Sequence, residues 1–226
     1  ARQRPASWND GRLNPRAGLP VKSYNSVVLP FLHPEITAVD PPQAPHDPAG
    51  RTIALIGTDL AQPDTIVRFQ SGETASLAAG STATRALVAL PPTLPAGFVG
   101  IDVARMVAIG AAPSKEVNPS NTVVFIHRPI IRRTPADAPD ITVLPPAAGA
   151  PRRIAVRLAT VPATGQKVEL LLNRLGDLTG DGHLVEAVPA TPPPDPVVFA
   201  VPDVPAGQWV LRVRVAGAET ELESDA

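Results

Sequence analysis

The stretch NRLGDLTGDGHL, residues 173–184, places oxygen-bearing side chains at alternate positions. Asp177, Thr179 and Asp181, followed by Gly182, match the opening of a helix–loop–helix calcium loop. Such a loop takes oxygens from positions 1, 3 and 5, turns on a glycine at 6, and closes with a bidentate Glu at 12. Counted from Asp177, position 12 is Val188 and Glu186 falls at 10. The flanks, ELLLN and LVEAVPATPPP, are strand-like and end in prolines rather than continuing as helices. Asp and Gly also tolerate the positive φ of a tight turn. The stretch therefore reads as a turn between strands, with a weak Ca²⁺ contact at Asp177–Asp181 as the alternative.

Other reactive residue types fare no better. His33, His46, His127 and His183 are scattered beside Pro, Asp, Arg or Gly, without the spacing of a zinc pair, and read as exposed loop histidines. Ser71, Ser76 and Ser81 sit in no nucleophile elbow, and GSTAT at 80–84 lacks the lysine of a phosphate cradle. Glu219, Glu221 and Glu223 alternate, so a terminal strand would present them together on a solvated face. Arg128, Arg132 and Arg133 cluster in one segment, and Arg152, Arg153 and Arg157 follow it. These guanidiniums suit either a solvated junction or bidentate pairing with carboxylates of a neighbouring subunit or domain. No catalytic, cofactor-binding or metal residue is assigned.

Composition points the same way. Lys and Arg total 20 against 21 Asp and Glu, a net charge of −1, which does not suggest a nucleic-acid or membrane-surface binder. Hydrophobic residues make up 44% but aromatics only 4%, so aliphatic side chains must fill the interior. The 29 prolines exclude long helices and punctuate short strands. With no Cys there is no disulfide, thiolate nucleophile or Cys-bound zinc. No apolar run reaches the roughly 18–20 residues of a membrane span. The opening ARQRPASWNDGRLNPRAGLP has no apolar signal-peptide core.

The elements that would position these residues are strands. Residues 1–33 hold four Arg and one Lys against Asp10 and read as an extended arm, with YNSVVLPF, Tyr24 to Phe31, as its strand-like piece. From Pro34, short runs separated by turn residues predict strands at 36–39, 51–57, 65–69, 85–90, 98–103 and 121–126. A second set follows at 152–158, 167–173, 183–188, 196–201 and 208–215, after a junction at 127–140. RTIAL at 51–55 parallels RRIAV at 152–156, and LPAGFVGIDV at 94–103 parallels VPAGQWVLRV at 204–213. In the second pair, Val99, Ile101 and Val103, and Trp209, Leu211, Val213 and Val215, would face a core. The expected fold is all-β: two immunoglobulin-like antiparallel sandwiches at 34–128 and 129–226, behind an arm at 1–33.

The first block resembles the immunoglobulin-like domain called IPT or TIG. The resemblance rests on Pro34-Glu-Ile36 with Val39 and Pro41, Ile53-Ala-Leu55-Ile-Gly57-Thr58-Asp59-Leu60, and Val67-Arg-Phe69. It continues through Ala86-Leu-Val88-Ala-Leu90-Pro91, Pro95-Ala-Gly97, Ser120-Asn121 and Val124-Phe125. The stretch AGFVGIDVARMVAIGAAPSKEVNPSNTVVFIHRPII and the ending FAVPDVPAGQWVLRVRVAGAETEL are similar to the C-terminal region of tail-terminator, or cap, proteins of contractile injection systems. The arm's GLPV before LPF fits the join from that family's terminator domain, whose globular N-terminal part has no counterpart here.

The resemblance implies a non-enzymatic structural component of a phage-tail-like contractile particle. Its partners would be tube, sheath or neighbouring cap subunits, with ring formation through a region absent from this chain. Assembly would be cytoplasmic, with release alongside the particle. The residues expected at contacts are Trp8, Tyr24 and Phe31 in the arm and Arg128, Arg132 and Arg133 in the junction. The alternative is a secreted or surface-anchored adhesion or carbohydrate-binding module. Two Trp, one Tyr and five Phe supply a sugar platform poorly.

Overall fold

A computed structural model describes residues 33–43, 51–107, 114–146, 151–159, 162–176, 182–188, 195–201, 204 and 207–221. The chain divides into two units, Ala1–Leu32 and His33–Ala226. The arm, with Trp8, Tyr24 and Phe31, lies outside the described residues, as do His46 and the Asp177–Asp181 loop.

The described chain is all-β. The first sandwich has β1 (Glu35–Asp40), β2 (Thr52–Thr58), β3 (Thr65–Phe69), β4 (Thr74–Ser76), β5 (Arg85–Ala89), β6 (Gly97–Val107), β7 (Lys115–Val117) and β8 (Val123–His127). One sheet runs β1-β2-β5; the other runs β4-β3-β6, with β7 and β8 paired to successive stretches of β6. The second sandwich has β9 (Ile141–Leu144), β10 (Arg152–Val156), β11 (Val168–Arg174), β12 (Gly182–Glu186), β13 (Val197–Val201), β14 (Trp209–Val215) and β15 (Ala218–Glu219). Its sheets are β9-β10-β13 and β12-β11-β14-β15. Setting β7 aside as an extra hairpin arm, the two orders are the same: first-second-fifth strand against fourth-third-sixth-seventh. That is the immunoglobulin-like arrangement, used twice. The sequence repeats align accordingly, RTIAL with RRIAV in β2 and β10, and the two Pro-Ala-Gly strands in β6 and β14.

Each sandwich closes over its own aliphatic core. Along β6, Val99, Ile101 and Val103 are buried, while Phe98 and Asp102 point the other way, as strand alternation requires. They meet Ile53, Leu55, Val67, Val88 and Phe125. In the second sandwich Val156, Leu170, Leu172, Phe199, Val213 and Val215 form the centre, with Trp209 and Leu211 packed at its margin. Burying each such side chain is worth about 1.5–3 kcal/mol.

Three devices finish the sheets. The fourth strand of each sandwich runs on to touch the fifth: Leu77 bridges Val88, and Ala187 bridges Phe199. In the first sandwich Ile36 N–H donates to Asn121 Oδ1 at 2.8 Å, and Asn121 Nδ2 donates to the Ile36 carbonyl at 2.9 Å. Beyond β1 the chain crosses to the other sheet, where Gln43 pairs in parallel with Ile126.

Candidate functional site

The place where the most chemistry converges is the joint between the sandwiches. Pro95-Ala96-Gly97 leads into β6, yet Ala96, only 1% exposed, belongs to the second sandwich's core. Gln166 Nε2 donates to the Ala96 carbonyl at 2.7 Å, and Gln166 Oε1 accepts from Ala163 N–H at 2.7 Å. Gly97 has φ +127°, and a Cβ there would come within 3.1 Å of Ala216 Cβ. Gly217, at φ +91°, lies under the ring of Phe98; a Cβ would stand 2.7 Å from Phe98 Cε2. Both glycines answer two demands at once, a left-handed backbone and close approach of the other sandwich.

Beside this contact runs an open groove lined by Gln43, Ile126, Arg128, Arg212, Glu219 and Glu221. Arg128 Nε donates to Gln43 Oε1, and its Nη1 donates to the Glu219 carbonyl at 3.2 Å. Glu221 stands 4.0 Å away. Arg128 thus ties the end of β8 to β15. Glu219 does not lie on a merely solvated face, as its alternation with Glu221 and Glu223 suggests. Its carboxylate pairs with Arg212 at 2.7 Å and Arg214 at 3.2 Å, while Arg212 also donates to Asn173 Oδ1 at 2.8 Å. The series extends across the sheet: Arg214 lies 3.9 Å from Glu169, and Lys167 reaches Glu169 and Glu186 at 3.7 and 3.5 Å. Opposite charges facing across strands place each partner within reach of the next.

Arg132, Arg133 and Arg157 each lie within reach of nearby carboxylates. Arg132 pairs with Asp195 at 2.7 Å, and Arg157 spans Asp195 at 3.4 Å and Asp140 at 3.6 Å. Arg133 lies 3.7 Å from Asp137, one turn along the chain. These pairs flank a split strand. Ile131 bridges Leu158, the chain then makes an excursion to Pro139, and it resumes beside β10 as β9. Arg68 is clamped by Asp102 at 2.8 Å and by Glu116, and the hydrogen-bonded Asp102 carboxylate holds its pKa above the ordinary range.

His127 departs from the expectation of exposed loop histidines. It ends β8 facing inward and is 0% exposed. Its Nδ1 lies 2.9 Å from the Pro95 carbonyl, and Nε2 has no partner. A carbonyl only accepts, so Nδ1 carries a proton toward Pro95, and in the neutral ring Nε2 is the bare nitrogen. Burial lowers its pKa; the Pro95 carbonyl opposes that, and the nearby Arg51 charge lowers it further. The strand pattern VVFIH held a signal, since His127 keeps the alternation of Val123 and Phe125, the inward residues of β8. His33 is exposed and His183 half-buried against Trp209, ring centroids 5.4 Å apart.

Among the described residues no group of three or more His, Cys, Asp or Glu could hold a metal ion. No helix among them is long and apolar enough to cross a membrane. Phe98 and Val124 are 60% and 61% exposed on one face of the sheet, and Ile126, the strand partner of Phe98, lines the charged groove.

Comparison with known proteins adds the following. Residues 129–226 match a family described as a domain of unknown function (DUF8756). No curated protein matches the chain. A solved structure similar to it is that of the chicken CNTN1 FN1–FN3 domains, at 13% identity and TM-score 0.31, covering 86% of this chain. The chain spans 64% of the length of that structure. The fold assignment rests on the strand order described above: this chain carries two immunoglobulin-like β-sandwiches in tandem.

Proposed function

We propose that this chain is a non-enzymatic structural module of a phage-tail-like contractile particle, working through protein–protein contacts. The observation that carries the assembly reading is the joint. Ala96, Gln166, Gly97 and Arg128 fasten two like sandwiches to each other, so that their outer faces are presented at a set angle. A repeated assembly needs such fixed geometry, because any freedom at the joint must be lost each time a subunit is added. The particle itself is supported by the resemblance of the 96–131 and 199–222 stretches to the C-terminal region of tail-terminator proteins. In this reading the neighbours are tube, sheath or further cap subunits, assembly is cytoplasmic, and Trp8, Tyr24 and Phe31 are the arm's anchors.

Deleting residues 1–33 tests the reading. Co-expressed with the particle's sheath and tube subunits, the full chain should sediment with assembled particles, whereas the shortened chain should stay at the top of the gradient while keeping its β-type circular dichroism. Equal sedimentation of both would remove the arm from the assembly contact. Failure of the full chain to sediment, together with specific binding on a glycan array, would favour the adhesion alternative.

A further inference from the structure

His127 occupies a position that no packing requirement explains. An aliphatic residue there would continue the alternation of Val123 and Phe125, yet the site holds an imidazole with a buried, unpartnered Nε2. Its one hydrogen bond goes to the residue preceding Ala96. The Pro95 carbonyl accepts from His127, the Ala96 carbonyl accepts from Gln166, and Gly97 abuts Ala216. Three consecutive residues thus run from the first core to the second, and His127 holds the near end.

We propose that His127 makes the joint acid-sensitive: protonation drives its imidazole out of the first core, frees the Pro95 carbonyl and draws Ala96 away from the second sandwich. Adding a proton to Nε2 creates a buried N–H without an acceptor and a second positive charge near Arg51. Around the ring, Arg51, just before β2, is the charged group whose field acts on it. The Pro95 loop supplies a neutral carbonyl, and Phe125 on β8 a neutral ring with centroids 6.5 Å apart. Arg128, next in sequence, turns its guanidinium away to Gln43 and Glu219. Among the described residues, these contacts of the ring include no carboxylate to compensate the imidazolium.

The sign is fixed by which state refuses the proton. The folded site holds a pKa below the ordinary 6.5, while the unfolded or opened chain titrates near 6.5. Above 6.5 the contribution to the closed form is complete. As pH falls below 6.5 the opened form takes up protons first, and the contribution drains away until the folded site titrates too.

Hydrogen–deuterium exchange on the full chain at pH 7.5 and 5.0, corrected for intrinsic rates, reads this directly. Segments 96–98 and 163–168 should lose protection by about tenfold for each unit by which the site lies below 6.5, within the range sampled. His127→Gln, which keeps a donor for Pro95 but cannot titrate, should show no such loss. Unchanged protection in the wild type, or an equal loss in the variant, overturns the proposal. If the variant does not fold, NMR titration of the wild-type imidazole decides: joint amides must shift with the same midpoint as His127, and independent titration overturns it.

Discussion

The Asn121 carboxamide offers Ile36 one acceptor and one donor, the same pair that a neighbouring strand would offer. Removing it leaves two backbone groups of a buried residue without protein partners. Asn121→Ala should cost about 1–3 kcal/mol, read from the urea midpoint at constant m-value. Asn121→Asp should be no better at pH 7, because the carboxylate keeps the acceptor but sets an anion against the Ile36 carbonyl. Gly217 tests a different kind of constraint. Gly217→Ala places a methyl in the left-handed region and against Phe98, and should destabilise by about 1–3 kcal/mol unless the ring moves. Phe98→Ala in the same chain should recover the steric part and leave the backbone part.

Among the elements, the strands with aliphatic alternation were legible and the short polar ones were not. TIVRF at 65–69 is β3 to the residue, and Val99, Ile101 and Val103 face the core as their spacing requires. By contrast β4, with sequence TAS, and β7, with KEV, carry no apolar period; pairing with longer neighbours defines them. β9 has the right residues, ITVL, but is only four residues long between the junction at 127–140 and Pro145-Pro146, and no strand is predicted there. The joint was invisible because its partners are distant in sequence and its currency is backbone carbonyls, glycine and one alanine. Arg128 drew notice by residue type; its partners, Gln43 and the Glu219 carbonyl, could not be foreseen. At this scale Phe199→Ala, in the fully buried centre of β13, should cost about 3–5 kcal/mol and selectively expose the second sandwich to proteolysis.

For the described molecule as a whole, the question is whether two cores melt as one. Ala96 is the test, since it is carried by the first sandwich and buried in the second. Calorimetry of the wild type should show one transition. Ala96→Asp, which forces an unpaired charge into the second core, should separate it into two. Two transitions in the wild type would show that the joint contributes little coupling.

Three main-chain oxygens, of Pro95, Ala96 and Glu219, receive the polar fastenings described above, and glycines set the clearance. Every amino acid brings a carbonyl, so residue replacements on the outer strands would leave those acceptors in place. The joint's geometry is thereby separated from the side chains that the outer faces carry, so those faces can change without loosening the fastening between the two sandwiches.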